Sequence, residues 1–397
     1  MPGRGLLGKD AGNRSLSFPV PELPHLVFIQ KTAGRGGAKN RLLDTLTTLK
    51  QGTDYPLHVV TAETGEFTER CAQLEVPVTV HPLPDWRKLM GRLRFGGAMK
   101  SLAGKLPFEK AAWVVSNEMW WAPHAAALAR HLGGKSAAIL RDGIADAKKG
   151  RKYRLQENDL ILPSSLKIAR GLDIDPELKK RTLVFLDAVL LPPTRLESAG
   201  LLQSKIAGTS PEVKRWLLVI GRVQARKKQT DAVRVLRGLM DRGYRDFGLI
   251  VAGDCDADYE PEMQAAMREC QVQDRVVMLG NFSDIRALFE LAELCLLTSL
   301  REALPGSVME SCLAGRPCFM YPCEGAEDIF GPHQGLFVSE DFRPELLVEK
   351  IEALLRDPAR LASETAALQL RAQGLFSLEA HLRELVEKLG LHVRHLG

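Results

Sequence analysis

Short apolar runs alternate along most of the chain with stretches whose apolar positions recur at helical spacing, the pattern of parallel α/β sheets. In the first half this predicts a strand over 25–30, the glycine loop Gly34-Arg35-Gly36-Gly37, and an amphipathic helix over 38–50. Strands follow over 57–62, 76–81 and 112–116, then a helix over 123–132, then strands over 136–140, 160–163 and 182–185. A stretch rich in proline and polar residues over 191–211 reads as a linker. Beyond it come strand 216–221, helix 230–242 closed by Gly243, strand 247–253, helix 260–271 and strand 275–280. Next are a helix over 284–292 capped by Ser283, strand 294–298, a helix over 306–314 ended by Gly315, and strand 317–321; the tail from 344 is helical. The expected fold class is α/β, with two doubly wound sheets facing across a cleft. Such sheets bind ligands outside the carboxyl ends of their strands.

Composition narrows the class without naming a chemistry. With 397 residues, 45% apolar and 26% charged, the chain has material for two or three domains at about 100–200 residues each, and wholesale disorder is excluded. No run approaches the roughly 18 consecutive apolar residues of a membrane span. Residues 1–24 are rich in glycine and proline and lack the apolar core of a secretory signal. Seven cysteines (71, 255, 270, 295, 312, 318 and 323) show no C-x-x-C pairing, which points to reduced thiols and a cytoplasmic setting. The net charge of +5 is uneven: residues 1–196 carry 30 Lys/Arg against 19 Asp/Glu, and the remainder 24 against 30. The basic half is suited to something anionic.

Two segments carry candidate chemistry, each placed after a strand of the second series. Thr298-Ser299-Leu300-Arg301-Glu302-Ala303-Leu304-Pro305-Gly306-Ser307-Val308-Met309-Glu310 leaves a strand, crosses a Pro-Gly loop and enters a helix. Backbone N–H groups near Gly306 and Ser307, with the positive end of the helix dipole, suit a phosphate. A carboxylate just inside the helix, Glu310, can accept from a ribose diol, and Glu302 can accept from sugar hydroxyls. Both glutamates also fit as ordinary helix-start acids. Gly221-Arg222-Val223-Gln224-Ala225-Arg226-Lys227-Lys228 sets four cations ahead of the next helix. Such a run can be a solvated loop, but preorganised Arg and Lys can also stabilise a departing diphosphate without a metal.

The second half resembles the nucleotide-sugar-binding domain of retaining glycosyltransferases of family 4, which have the GT-B fold. The residues that carry the resemblance are Gly221-Arg222 with Lys227, Val251-Ala252-Gly253-Asp254, Val277-Met278-Leu279-Gly280, Thr298-Ser299, the Glu302/Glu310 pair, Ala314-Gly315-Arg316-Pro317, and Glu324-Gly325-Ala326-Glu327-Asp328. More loosely, Gly36-Gly37 and Asn158-Asp159-Leu160-Ile161-Leu162-Pro163-Ser164-Ser165 look like the family's acceptor domain. The resemblance implies two Rossmann-like domains, acceptor-binding over 25–195 and nucleotide-sugar-binding over 196–375. Residues 1–24, rich in glycine and proline, are expected to be a flexible segment, and a C-terminal helix over 376–397 is expected to pack back toward the first domain.

Roles follow from the same resemblance. Arg222 and Lys227 would clamp the donor diphosphate, Glu310 would hold the ribose, and Glu302 the transferred sugar. Leu304, Pro305, Gly306, Ser307 and Val308 would meet the sugar and distal phosphate through their backbone. The Gly280-Asn281-Phe282 turn would line the base, while Gly36 and Gly37, with Gly221, would let backbone approach the donor closely. No metal cofactor is implied. The donor would be a nucleotide sugar, UDP-sugar ahead of GDP-sugar. The acceptor would be a glycan or lipid-linked intermediate of bacterial surface polysaccharide, including lipopolysaccharide.

The sequence departs from the family in places. Where many members carry a histidine near the reacting sugar, this chain has Ser116-Asn117-Glu118 and Leu140-Arg141-Asp142, so Glu118, Arg141 and Asp142 become weak acceptor-site candidates. His124 and His131 read as packing or surface residues. The family's glycine after the clamp lysine is Lys228, and its Glu-Gly-Phe-Gly stretch is Glu302-Ala303-Leu304-Pro305.

Other features weigh less. Asp254-x-Asp256-x-Asp258 has metal-loop spacing but reads as a variable exposed loop. Cys318 and Cys323 with His333 could form a zinc site, but the spacing is irregular and Cys318 falls in an apolar strand, so the thiols read as structural. The stretch 86–108 interleaves Arg87, Lys88, Arg92, Arg94, Lys100 and Lys105 with apolar residues and holds no acid. It is suited either to an anionic membrane surface, which would make the protein peripheral on the inner face of the cytoplasmic membrane, or to packing on the first domain. A second basic run, 148–154, could meet a phosphorylated or lipid-linked acceptor or be a surface loop. Two other classes remain: a non-catalytic nucleotide-sugar-binding relative, and a nucleic-acid binder using the basic half with Trp120 and Trp121 as stacking platforms. The latter leaves Glu302 and Glu310 without a purpose, so no nucleic-acid partner is expected.

Overall fold

The computed structural model describes residues 23–34, 36–141 and 146–394. The first sheet has six parallel strands: β1 (His25–Ile29), β2 (Leu57–Thr61), β3 (Val78–Val80), β4 (Ala111–Ser116), β5 (Lys135–Leu140) and β6 (Leu160–Pro163). They lie in the order β3-β2-β1-β4-β5-β6. The second sheet has five: β7 (Arg215–Ile220), β8 (Phe247–Ala252), β9 (Val276–Gly280), β10 (Leu294–Leu297) and β11 (Cys318–Met320), in the order β11-β10-β7-β8-β9. Every pairing is parallel. The central strands read as continuous apolar runs because helices cover both faces. Leu26, Phe28, Val59 and Val115 are buried in the first lobe, and Leu217, Leu249, Ile250 and Leu296 in the second.

Strand order reverses between β1 and β4 in one sheet and between β7 and β10 in the other. A crevice opens outside the carboxyl ends of the strands at such a switch. The two lobes present these ends to one another. The chain crosses between them twice, and the crossings touch where Val189 N donates to Phe376 O at 3.1 Å. The last helix, Leu378–Leu389, then lies on the helix Gly37–Gly52 of the first lobe. Leu385 and Leu389 join that lobe's core, and Trp113 Nε1 donates to Leu389 O at 2.8 Å.

Three local expectations are corrected. Residues 182–185 form no strand: only Thr182 bridges to Ile161, although Leu183 N and Phe185 N donate to Ile161 O and Pro163 O. The segment follows β6 while it is already turning into the interlobe crossing. The stretch 191–211 is not all linker, because Leu196–Ile206 is a helix that lies against the second lobe, with Leu202 buried in its core. Pro192 and Pro193 come before its first turn and Pro211 after its last, where they do not break it. The helix read as capped by Ser283 runs Ile285–Leu291 and is capped by Asp284, whose carboxylate accepts from Ala287 N.

The basic stretch 86–108 forms the helix Leu89–Ala103, and Phe95, Met99 and Leu102 pack it on the helix Ala122–His131. Leu89 and Leu93, however, are 73% and 71% exposed. His124 is a packing residue: it is wedged between Phe95 and Trp121, and burial pushes its imidazole down to about 4. Trp121 is buried beneath Lys31, whose Nζ lies 4.7 Å from the ring centre, so it offers no stacking platform. No helix among the described residues is long and apolar enough to cross a membrane.

Candidate functional site

Between the lobes lies a cleft of about 690 Å³. Its second-lobe wall is built on the ends of four adjacent strands, with Asn281 and Phe282 following β9. Gly221 follows β7, Gly253 follows β8, and the Glu302 loop follows β10. Gly221 and Gly253 take φ of +139° and +144°, and a methyl group at Gly253 would sit 2.3 Å from Gly221 O. The two glycines thus let neighbouring strand ends meet back to back and leave space above them.

The 225–228 turn and the loop after β10 are sewn together. Leu300 N donates to Arg226 O and Thr298 Oγ1 to Lys227 O, both at 3.0 Å. Across them, Lys227 Nζ meets Glu302 Oε1 at 2.5 Å and Arg226 Nη1 meets the same oxygen at 3.2 Å. Burial by itself pushes the Glu302 carboxyl up. Lys227 first, and Arg226 after it, overcome this and hold it below the usual carboxylate range. The loop is seated on Gly325, where a methyl group would collide with Ala303 O at 2.5 Å.

Arg222 behaves differently from Lys227. It lines the cleft, but its guanidinium is largely exposed and turned to Asp256, with Nε 2.5 Å from Oδ1. The two clamp candidates therefore share a strand end without converging at their tips. The same pair accounts for Asp256 in the run once read for metal-loop spacing. Among the described residues no group of three or more His, Cys, Asp or Glu is placed to hold a metal ion. Lys228, where the resemblance expects glycine, has φ of +48° and ψ of 45°, the left-handed conformation that glycine adopts freely.

Pro305 precedes the helix Gly306–Leu313, whose first backbone N–H groups open at the cleft beside Leu304, Pro305, Gly306 and Ser307. Glu310, one turn in, also lines it. Val308 does not: it is buried in the second lobe's core. Asn281 and Phe282 line the far end, while Gly280, with φ of +67°, makes the turn behind them.

From the first lobe, Gly36, Gly37 and Arg141 line the cleft. Arg141 is fully committed, however, with Nε and Nη2 on Asp187 at 2.9 and 2.6 Å and Nη1 on Asn117 O at 3.0 Å. Asn117 in turn donates to Gln30 Oε1 and Ala38 O, and Gln30 donates to Glu118 Oε2 at 3.3 Å. Glu118 and Arg141 are thus the two ends of one polar chain across the strand ends, and only Arg141 is in the cleft. Asp142 lies outside the described residues.

Sequence reasoning passed over Arg41 and Asp187, and it named Arg226 and Ser164 only within longer runs without giving them a role; all four line the cleft. Arg41 was the most accessible of them. It stands one helical turn after Gly37, and residues four apart share a helix face. Its Nη2 crosses the cleft to Glu310 Oε1 at 3.0 Å. A second bridge between the lobes joins the helix Leu166–Leu172 to residues 324–328. Leu166 N donates to Asp328, and Arg170 pairs bidentately with Glu327 at 2.8 and 3.0 Å.

Two parallel-sheet Rossmann-like lobes facing across a cleft constitute the GT-B fold. Residues 203–369 match the family model described as glycosyl transferases group 1. Over 150 residues the chain is 31% identical to a 2-deoxystreptamine glucosyltransferase of Streptomyces kanamyceticus, a match spanning 37% of this chain and 38% of that one. The fold of the Anabaena protein HepE, crystallised with UDP and glucose, superimposes with a TM-score of 0.74 at 17% identity, covering 92% of this chain and 99% of the other. That of WaaG, a glycosyltransferase involved in lipopolysaccharide biosynthesis, does so at 0.64 and 14%, with coverages of 92% and 99%.

Proposed function

We propose that the protein is a retaining glycosyltransferase that moves a hexosyl or N-acetylhexosaminyl group from a nucleotide-diphosphate sugar to a hydroxyl acceptor. One observation carries this reading. Lys227, the amino end of the helix Gly306–Leu313 and the carboxylates Glu302 and Glu310 all border one cleft large enough for such a donor. UDP-sugars are favoured over GDP-sugars, in keeping with the UDP found in HepE.

In the reaction the acceptor oxygen bonds to the anomeric carbon as the bond from that carbon to the distal phosphate oxygen breaks. The acceptor's proton passes to the departing nucleoside diphosphate. Attack from the face the diphosphate leaves gives retention. Positive charge from Lys227 and the helix end is already in place where the leaving group's charge develops, so little reorganisation is needed in the transition state. Arg222 joins them by leaving Asp256, a pair whose arginine end is exposed and that costs little to give up. Glu302 orients the sugar through its hydroxyls. These groups carry the charge compensation in place of a metal.

The acceptor is a glycan or lipid-linked intermediate of surface polysaccharide assembly. The first lobe supports this, since its two basic runs come together around Trp86. The indole donates to Lys152 O at 3.2 Å, and the guanidinium carbons of Arg92 and Arg154 lie 5.6 and 5.2 Å from its ring centre. With exposed Leu89, Met90 and Leu93 alongside, this face fits an anionic membrane, each basic residue contributing about 1 kcal/mol near the surface.

A thermal-shift panel of UDP, GDP and ADP with their sugars tests the donor, since a ligand that binds only the folded state raises the melting temperature. UDP and UDP-sugars are expected to shift it most. Proton NMR of the new anomeric centre tests retention. No shift with any nucleotide rejects the reading. Nucleotide binding without donor turnover or hydrolysis would instead identify a non-catalytic binding protein.

A further inference from the structure

Arg41 is a cleft cation that the proposed chemistry leaves without a task. It belongs to the first lobe, on the helix Gly37–Gly52. Its guanidinium is held at three points. Nη1 donates to Ala188 O, in the interlobe crossing, at 2.8 Å. Nη1 also lies 3.3 Å from Asp44 Oδ2, and Nη2 lies 3.0 Å from Glu310 Oε1 in the second lobe. The Arg41 and Glu310 side chains are only 12% and 10% exposed. A methyl group at Gly306 would touch the guanidinium carbon at 3.7 Å, so Arg41 lies directly over the start of that helix.

This arrangement does more than join two lobes. A planar guanidinium engaged on several sides has a defined orientation, and it passes that definition to the carboxylate it grips. Glu310 alone, at the edge of an open cleft, would have several rotamers available. With Oε1 gripped it has one. Arg41 and Ala188 both lie outside the second sheet, so the grip exists only while the lobes are together.

We propose that Arg41 is the positioning residue for ribose recognition: it fixes the Glu310 carboxylate where the donor's two ribose hydroxyls can donate to it, so that the ribose is read only when the lobes are closed. The inference rests on the donor reading above, with Glu310 as the ribose carboxylate.

Calorimetric titration of UDP and 2′,3′-dideoxy-UDP tests it, using the native protein, Arg41→Gln, Arg41→Lys, Glu310→Gln and the Arg41→Gln/Glu310→Gln double variant. The native protein should prefer UDP by about 10- to 100-fold, the scale of hydrogen bonds to a charged group. In Arg41→Gln that preference should fall at least about tenfold, with dideoxy-UDP, which contacts no ribose carboxylate, as the reference that absorbs any effect of the lost charge on the diphosphate. Arg41→Lys keeps the charge without the fork and should fall between. In the double variant Arg41→Gln should add nothing to Glu310→Gln. Undiminished preference in Arg41→Gln, or in Arg41→Lys should the first not fold, overturns the proposal. So does tighter UDP binding by Arg41→Gln, which would make Arg41 a competitor of the ribose. Failure of the donor reading looks different: the native protein would bind neither nucleotide, and the assignment of Arg41 would fall with it.

Discussion

Lys227 and Glu302 stand at the ends of two hydrogen-bonded neighbours, β7 and β10, and their side chains meet with Nζ 2.5 Å from Oε1. The loops bearing them are tied by backbone contacts from Leu300 N and Thr298 Oγ1. The pair is therefore a rigid feature of the strand ends.

Replacing Lys227 by Ala should leave the fold intact, because Arg226 remains 3.2 Å from Glu302. Removing one preorganised charge from a leaving group typically costs about 10²–10³ in turnover. Donor consumption measured beside a thermal melt checks this. Native turnover in Lys227→Ala would remove the lysine from the reaction.

Lys228→Gly should stabilise the protein. A left-handed conformation costs a residue with a Cβ about 1 kcal/mol, and the Lys228–Asp231 pair at 3.4 Å, with its lysine end exposed, returns little of that. A rise of about 1 kcal/mol in urea unfolding is expected, with donor binding retained.

Gly253→Ala should do the opposite. Its methyl group would lie 2.3 Å from Gly221 O, at a φ of +144° that L-residues rarely adopt. Overpacking and strain together predict a loss of at least about 3 kcal/mol. Nucleotide binding, followed by thermal shift, should weaken with it as the β7 and β8 ends are pushed apart.

Asp44 gives a pH signature. Burial pushes its carboxyl up to about 6, against a smaller opposite pull from Arg41. A carboxyl raised on folding favours the folded state when protonated. Its contribution is full below the unfolded value near 4 and is lost as pH rises through about 6. Asp44→Asn should therefore raise the melting temperature at pH 8 and leave it nearly unchanged at pH 4. Equal shifts at both pH values would contradict the assignment.

The exposed leucines test the membrane face. Leu89→Ser/Leu93→Ser should leave the melting temperature unchanged, since both side chains stand in solvent. It should also weaken co-sedimentation with vesicles containing anionic phosphatidylglycerol. Unchanged sedimentation would assign the helix Leu89–Ala103 to packing on the first lobe alone.

Much of this protein is decided by local pattern. Parallel strands covered on both faces must be continuous apolar runs, and so β1, β2, β4 to β6 and β7 to β10 stand close to where hydrophobicity places them. Thr182–Phe185 looked alike and failed, because pairing depends on where the chain travels next. Loops that follow strands in this architecture face the crevice, so the order of elements already put Gly221, Lys227, Glu302 and Glu310 at its edge, whereas Gly36 was placed there by the family resemblance.

The amino-acid order could not say which side chains meet. Arg41 and Glu310 are 269 residues apart, and their contact exists because two separately folded lobes close on each other. Arg222 and Lys227 read as equals in one short run, yet one turns outward to Asp256 and the other inward to Glu302. Arg141, a candidate for substrate, is spent on Asp187 in the crossing between lobes. Apolar periodicity is a property of neighbouring residues and survives in one dimension. Ion pairing across a cleft depends on distances that only the packed lobes define.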